Sequence, residues 1–186
     1  LSGDSVRPGR TNQVRIIGGG HRRRLIQFPD APGLRPTPDR ARETLFNWLG
    51  QSLAGWSCLD AFAGSGALGF EASSRGATRV LMLEQNSQAV AALQQNARTL
   101  GLVGVEIQLA DALRYLAAPG ELFDLVFLDP PFAGALLEPA LRATAARLQP
   151  DGKIYAESPA RLSPAGFNVL REARAGHSHY CLLEPA

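Results

Sequence analysis

A glycine-rich turn follows an apolar segment of the chain and could bind a nucleoside. Glycines stand at positions 64, 66 and 69, the G-x-G-x-x-G spacing, directly after residues 58–62, which read Cys-Leu-Asp-Ala-Phe. Glycines at a strand-to-helix junction allow a tight turn and a close approach of the backbone to a ligand. Glu84 follows Gly64 by about 20 residues, where a carboxylate can accept hydrogen bonds from two ribose hydroxyls. The pattern therefore predicts a nucleoside site.

A second motif, Asp129-Pro130-Pro131-Phe132, follows another apolar segment and could orient an amino group. Ligands of parallel α/β sheets bind at the carboxyl ends of the strands, and two prolines restrict the loop so that the Asp129 carboxylate points into that crevice. The carboxylate and the Pro130 carbonyl could accept both hydrogens of a ring-conjugated amino group while Phe132 stacks on the base. Such nitrogens are poor nucleophiles, so the motif favours methylation by a sulfonium donor. Either Asp129 or water could take the released proton.

Asp111 and Ala112 form a weaker candidate for an adenine site. They follow a predicted strand, where the carboxylate could accept a hydrogen bond from the adenine amino group and the Ala112 N–H could donate to the ring. Asp111 could instead cap the N-terminus of a short helix, and the two roles are compatible.

The segments around these motifs alternate between strand-like and helical patterns. This order is typical of an α/β fold whose parallel sheet is covered by helices on both faces. Residues 167–173 and 179–183 predict an antiparallel hairpin that completes a mostly parallel, seven-stranded, Rossmann-like sheet. The other predicted strands are 58–62, 79–84, 105–109, 123–128 and 153–157, and the predicted helices are 67–75, 86–100, 111–116 and 136–148.

The chain is long enough for one main domain, which we expect at residues 56–186. Residues 1–12 are rich in Gly, Pro, Ser and charge and are predicted to form a flexible N-terminus. Residues 13–55 are predicted to form an extension that contacts RNA.

The extension is predicted to contain a hairpin and a helix. Residues 13–17 and 24–28 predict two short strands with arginines at the tip between them. Thr37 is predicted to be the N-cap of the following helix, with Pro38 at its first helical position and Gly55 at its end.

Positive charge is concentrated near the N-terminus and indicates a nucleic-acid partner. Residues 1–42 hold nine arginines and three aspartates, so this segment carries more than the whole net charge of +2. A basic segment ahead of a mildly acidic body is typical of a protein that contacts phosphate, although a solvated arginine-rich tail has the same composition.

Several classes of protein are disfavoured by the composition. No apolar run approaches the roughly 18 residues of a membrane span, and the first residues lack a signal-peptide pattern, so we expect a cytoplasmic protein without a membrane partner. Cys58 and Cys181 lie far apart, there is no CxxC pair, and the chain has three histidines. The sequence therefore indicates neither a disulfide scaffold nor a metal site.

Taken together, the motifs resemble those of the class I S-adenosylmethionine-dependent methyltransferases, and the chain resembles the bacterial 16S rRNA guanine-N2 methyltransferases among them. The resemblance covers nearly the whole chain from Gln13 onward. It is most specific where Arg-Pro-Thr at 35–37 precedes Arg-Glu-Thr-Leu-Phe-Asn-Trp-Leu at 42–49, and the basic residues 20–24 depart from it. The matching segments are 15–19, 33–37, 39–40, 42–49, 60–71 and 129–132.

The resemblance implies methyl transfer from S-adenosylmethionine to N2 of a guanine in 16S rRNA, within an assembled or partly assembled 30S subunit. Nothing in the sequence demands more than a monomer, which is the state we expect. Carried over by position, the cofactor-binding residues are Asp60, Ala61, Phe62, Gly64 and Gly66 at the methionine part, Glu84 at the ribose, and Asp111 and Ala112 at the adenine. The catalytic residues are Asp129, Pro130, Pro131 and Phe132. The candidate RNA-binding residues are Arg15, Arg22, Arg23, Arg24, Arg35, Thr37 and Arg40.

Three other functions are compatible with parts of the pattern. Adenine-N6 methyltransferases use a similar motif, more often with Asn first and Tyr last. A non-catalytic cofactor-binding factor for ribosome assembly would not need Asp129 and Phe132. A dehydrogenase needs a catalytic group beside the nicotinamide, for which His177 and His179 near a turn are poor candidates.

Overall fold

The computed structural model describes residues 11–32, 34, 36–131 and 135–186. The strands are β1 (Thr11–Arg15), β2 (Leu25–Pro29), β3 (Ser57–Asp60), β4 (Arg79–Glu84), β5 (Val105–Leu109), β6 (Phe123–Leu128), β7 (Leu148–Ser158), β8 (Phe167–Ala175) and β9 (Ser178–Pro185). The helices are α1 (Asp39–Trp48), α2 (Ala67–Ser74), α3 (Ser87–Leu100), α4 (Ala112–Ala117) and α5 (Leu137–Thr144).

Seven strands form one sheet in the order β5-β4-β3-β6-β7-β9-β8, and β1 and β2 form a separate antiparallel hairpin. Strands β3 to β7 are parallel, whereas β9 runs antiparallel to both β7 and β8. This arrangement confirms the predicted sheet and its C-terminal hairpin. The carboxyl ends of β3 to β7 therefore meet along one border of the sheet, here called the carboxyl edge, and the opposite border is the amino edge.

Helices cover both faces of the sheet. One core contains side chains of α1, α2, α3 and the β1–β2 hairpin, and the other contains side chains of α4 and α5. Cys58 and Cys181 are buried free thiols. Among the described residues, no helix is long and apolar enough to cross a bilayer.

The predicted bounds of β4, β5 and β6 agree with the structure, but the C-terminal end predicted for the helix at 136–148 is wrong. Helix α5 ends at Thr144, a 3-10 turn spans Ala145–Arg147, and β7 already begins at Leu148. Leu148 pairs with Phe123 of β6, which draws it into the sheet.

The predicted boundaries of α1 are also wrong at both ends. Pro38, not Thr37, is the N-cap residue and makes no side-chain cap. The helix ends at Trp48, well before Gly55, because Gly50 adopts a φ of 86° and the next N–H, of Gln51, donates to the Phe46 carbonyl. A positive φ in this position is a common C-terminal stop signal for glycine.

The hairpin is fixed to the amino edge of the domain by its tip. The Gly20 N–H donates to the Ser74 carbonyl at 2.7 Å, and the His21 N–H donates to Ser74 Oγ at 2.9 Å. Ser74 and Leu100, whose carbonyl lies 3.1 Å from His21 Nε2, end helices that begin at the carboxyl edge. Gly19 has a φ of 75°, and a Cβ on it would lie 1.8 Å from the Ser74 oxygen, so the close contact requires glycine.

A buried carboxylate joins the hairpin to two helices. Glu71 of α2 is fully buried and accepts hydrogen bonds from the N–H groups of Ile17 and Gly18 at 2.9 and 2.8 Å. It also pairs with Arg42 of α1 at 3.1 Å and with Arg75 at 2.9 Å. Both arginines are buried, so the hairpin, α1 and α2 are held by one charged cluster.

Candidate active site

The glycine turn combines one open position with two crowded ones. Gly64 and Gly66 adopt φ angles of 52° and 83°. A Cβ on Gly66 would lie 2.6 Å from Phe70 and from Leu93, and one on Gly69 would lie 2.8 Å from Met82. At Gly64 the nearest atom would be a carbonyl oxygen 3.9 Å away. The turn therefore packs tightly on its inner side and leaves Gly64 accessible to a ligand.

Asp60 ends β3 directly beneath this turn. It is 1% exposed, and its Oδ2 accepts a hydrogen bond from the Gly69 N–H at 3.0 Å. The pKa of Asp60 is raised to about 7, mainly by burial and also by the charge of Glu84, while the hydrogen bond from the Gly69 N–H lowers it. The next residue, Ala61, is buried, and Phe62 is half-buried.

Glu84 lies at the carboxyl end of β4, next to the glycine turn. Its Oε2 accepts from the Gly64 N–H at 2.9 Å, and its Oε1 accepts from the Asn86 N–H at 2.8 Å. The residue is half-buried. Each carboxylate oxygen has a second lone pair, so Glu84 can still accept hydrogen bonds from two hydroxyls.

Asp111 follows β5, and the structure confirms its predicted role as the N-cap of a short helix. Its Oδ1 accepts from the Arg114 N–H at 2.7 Å at the start of α4, and its Oδ2 accepts from the side chain of Gln85. Asp111 is exposed, whereas Ala112 is buried. With Asp60 and Glu84, Asp111 completes a row of carboxylates along the ends of three neighbouring strands.

Asp129 lies at the carboxyl end of β6, the next strand after β3 in the sheet, and so extends this row of carboxylates by one strand. It is partly buried, and Oδ2 accepts a hydrogen bond from Thr37 Oγ1 at 3.1 Å. Burial raises the pKa of Asp129 well above its usual range, the charges of Glu157 and Asp60 add to this, and the Thr37 hydrogen bond opposes it. Pro130 is buried and Pro131 is exposed, while Phe132 lies outside the described residues.

Glu157 was missed by the sequence analysis and belongs to the same region. It is 4% exposed at the end of β7, and its two oxygens accept from Tyr155 Oη and from Ser178 Oγ. Burial raises the pKa of Glu157, while these two hydrogen bonds lower it. The signal that singled out Asp129, a polar residue at the carboxyl end of a predicted strand, was also present at Glu157.

The candidate RNA-binding residues are spread over both edges of the domain. Arg22, Arg23 and Arg24 are exposed on the hairpin tip at the amino edge. Arg40 is exposed in the first turn of α1, three residues after Thr37, and Arg15 is exposed on β1.

The structure does not bring these candidates together. Helix α3 runs from one edge to the other and has 14 residues, so about 20 Å separates the tip from the carboxyl edge. Thr37 is only 5% exposed and donates a hydrogen bond to Asp129, which leaves it little surface for RNA contact. Arg35 lies outside the described residues.

Comparison with known proteins assigns a family to this arrangement. The family described as Conserved hypothetical protein 95 matches residues 14–184. The protein of Escherichia coli strain K12 named Ribosomal RNA small subunit methyltransferase D is 41% identical over 180 residues, which cover 94% of this chain and 91% of that protein.

Solved structures agree with this match. The structure of the Escherichia coli protein yhhF has a TM-score of 0.84 and 40% identity, covering 94% of this chain and 98% of that chain. A Thermus thermophilus 16S rRNA N2 G1207 methyltransferase, solved in complex with AdoMet and guanosine, has the same fold with a TM-score of 0.70 at 23% identity, covering 95% of this chain and 50% of that one. The chain thus has the class I methyltransferase fold and belongs to the family described as Conserved hypothetical protein 95.

Proposed function

We propose that this chain is an S-adenosylmethionine-dependent methyltransferase that modifies N2 of a guanine in small-subunit rRNA, and that this guanine is position 966 of 16S rRNA. The observation that carries the proposal is the position of Asp129, which lies in a proline-restricted loop beside the row of carboxylates formed by Asp60, Glu84 and Asp111. The chain is also 41% identical to a small-subunit rRNA methyltransferase. An amino-group acceptor site and a nucleoside site then share the carboxyl edge.

The carboxylates along this edge fit the hydrogen-bond donors of S-adenosylmethionine. Glu84 keeps free lone pairs for the ribose hydroxyls, the exposed Asp111 can accept from the adenine amino group, and Asp60 lies beneath Gly64 at the methionine end. When bound, the cofactor supplies an electrophilic methyl group on a sulfonium.

Asp129 and Pro130 orient the target nitrogen. Thr37 already donates to Asp129 Oδ2, whereas none of the described residues donates to Oδ1. We therefore assign Oδ1 as the oxygen that accepts a hydrogen from the guanine amino group, and the Pro130 carbonyl as the acceptor of the second. The lone pair of N2 then faces the methyl group, and positioning of this kind contributes much of the acceleration. Asp129 takes the proton that N2 loses.

The two exposed basic regions favour a folded RNA substrate. Arg40 lies in the first turn of α1, three residues after Thr37 at the carboxyl edge, whereas Arg22, Arg23 and Arg24 lie at the amino edge, about 20 Å from the carboxyl edge. Arg15 lies on β1, next to the hairpin tip. An assembled or partly assembled 30S subunit offers phosphates over such a span. Within this proposal, Arg35 and the extension at 13–55 serve RNA contact, and residues 56–186 perform the transfer.

The remaining parts of the proposal follow from this chemistry. We also propose that the protein acts as a monomer, since the proposed chemistry requires no residue from a second copy. The methyl group is already electrophilic, so the transfer has no metal-dependent step. The substrate, rRNA, places the reaction in the cytoplasm.

Asp129→Asn tests the role of the acceptor carboxylate. Transfer of labelled methyl groups to 30S subunits should fall by about 100-fold or more, because positioning and proton acceptance are both impaired. The affinity for S-adenosylmethionine, measured by calorimetry, should stay within about twofold of wild type. A variant that transfers at the wild-type rate, or that loses cofactor binding, would contradict the role given to Asp129.

A further inference from the structure

We propose that Thr37 and Glu157 are positioning residues that act on Asp129 in opposite senses, the Thr37 hydroxyl favouring its ionised form and Glu157 disfavouring it. The inference rests on the proposed function, since it concerns the group that receives the target amino nitrogen. It gives Thr37 a different role from RNA contact and brings into the site a residue of β7, Glu157, that no motif marked.

Thr37 is held in place by the charged cluster rather than by the helix it precedes. Its side chain is buried, and its carbonyl accepts a hydrogen bond from Arg42 Nε at 3.2 Å. Arg42 is itself 1% exposed and paired with Glu71. The Thr37 hydroxyl therefore has a fixed position from which it donates to Asp129 Oδ2 at 3.1 Å. Donation to a carboxylate stabilises its charged form.

Glu157 approaches Asp129 from the neighbouring strand. Leu128 of β6 pairs with Ala156 of β7 in a parallel register, so Asp129 and Glu157 are the next residues on two strands about 4.8 Å apart. The pair Phe127 and Tyr155, two residues earlier, packs on the same face, which places both carboxyl groups on that face as well. Tyr155 Oη and Ser178 Oγ fix Glu157 where it is.

The other charged groups that the described residues place around Asp129 do not cancel this effect. Asp60 approaches from β3 and raises the pKa of Asp129 as Glu157 does, and Tyr155 and Tyr180 face Glu157 from β7 and β9. On α1, the cation of Arg42 is engaged by Glu71 and Asp39. Within the part of the chain that the structure describes, the pKa of Asp129 is therefore raised by the acidic groups Glu157 and Asp60 and lowered by the Thr37 hydroxyl.

Together, Thr37 and Glu157 set the basicity of the Asp129 carboxylate. In the transfer, the bond from sulfur to the methyl carbon breaks, a bond from N2 to that carbon forms, and an N2–H proton moves to Asp129, which becomes a carboxylic acid. A carboxylate whose pKa is raised is a stronger proton acceptor, provided that it is still ionised at the working pH. Glu157 supplies the basicity, and Thr37 keeps the group ionised and directs Oδ1 to the substrate.

The test uses Thr37→Val, Thr37→Ser and Glu157→Gln in the full chain. The pH dependence of single-turnover methyl transfer to 30S subunits gives an acid limb that reports ionisation of Asp129. Thr37→Val should move this limb to higher pH, and Glu157→Gln should move it to lower pH, each by about one unit. Thr37→Ser keeps the hydroxyl and should retain the wild-type limb.

A second measurement needs no substrate. Titration of the carboxyl carbon of Asp129 by ¹³C NMR, assigned by comparison with Asp129→Asn, should show the same opposite shifts in the free protein. Shifts in one direction for both variants, or equal rate losses at every pH with no NMR shift, would overturn the proposal. If wild type methylates a base other than guanine, the proposed function fails, while the opposite NMR shifts would still support the role of Thr37 and Glu157.

Discussion

Replacing Glu71 by Gln should destabilise the protein more than any exposed substitution of the same kind. Glu71 is fully buried and is the shared acceptor of four donors: two backbone N–H groups of the hairpin and the side chains of Arg42 and Arg75. Glutamine has nearly the same volume but carries no charge. Its amide nitrogen would face donors instead of accepting from them.

The expected loss follows from the burial of both partners. Removing one member of a buried ion pair leaves an uncompensated charge and costs about 3–5 kcal/mol. Here two buried arginines, 1% and 8% exposed, lose their common counter-charge. For a domain of this size each kcal/mol lowers the melting temperature by about 2–4 °C, so the midpoint should fall by roughly 6–20 °C.

Urea denaturation measures this loss, with Glu43→Gln as the matched control. Glu43 is exposed on α1, and its substitution should change the free energy of unfolding by no more than about 0.5 kcal/mol. Hydrogen exchange of the Ile17 and Gly18 amides should also accelerate, because both donate to Glu71. If Glu71→Gln lowers the free energy of unfolding no more than Glu43→Gln does, the charged cluster does not anchor the hairpin.

Three further predictions concern the site and its RNA contacts. Glu84→Ala should weaken S-adenosylmethionine binding, measured by calorimetry, by roughly 10- to 100-fold, because hydrogen bonds to a charged group are lost. Replacing Arg22, Arg23 and Arg24 by alanine should flatten the salt dependence of 30S binding, by roughly two in the slope of log K against log salt. The pKa of Asp60 is about 7 in the folded chain, above its ordinary 3.8, so the folded form stays protonated while the unfolded chain ionises. The contribution of Asp60 to the free energy of unfolding therefore falls as pH rises from about 4 to about 7. Asn cannot ionise, so the free energy of unfolding of Asp60→Asn should rise relative to that of wild type over this interval, by on the order of a few kcal/mol.

Each of these predictions has a control and a contrary result. Glu43→Ala should leave cofactor affinity unchanged, and a Glu84→Ala variant that does the same would remove Glu84 from the ribose site. Arg142→Ala changes an exposed arginine of α5 and should keep the wild-type salt slope. An unchanged slope for the hairpin variant would make its tip a solvated loop. A constant difference in stability between Asp60→Asn and wild type at pH 4.5 and pH 8 would contradict the assignment to Asp60.

Much of the fold could be predicted because its signals are local. The segments 79–84 and 123–128 are rich in apolar residues and 105–109 alternates apolar and polar residues, and all three agree with β4, β6 and β5. The helix ends were predicted less well, because they depend on contacts that sequence spacing does not reveal. Helix α1 ends because Gly50 adopts a positive φ. Leu148, which was predicted to be helical, lies in β7 because it pairs with Phe123 of β6.

The candidate site was predictable where one motif contains its residues, as at Gly64 and Asp129. Thr37 and Glu157 are 92 and 28 positions away from Asp129 in the chain and reach it through tertiary packing and strand register. The location of the hairpin tip also depends on tertiary contacts. The arginines were correctly predicted at the tip, but the tip is placed at the amino edge by the tertiary contacts of Gly20 and His21 with Ser74 and Leu100.

The most direct test of the proposed function is the identity of the methylated nucleoside. Wild-type protein would be incubated with labelled S-adenosylmethionine and 30S subunits that lack the modification, and the rRNA would then be digested and separated. The account predicts N2-methylguanosine at a single position, absent with Asp129→Asn. Label in N6-methyladenosine would contradict the assignment of guanine, and no transfer despite tight cofactor binding would contradict the assignment of an enzyme.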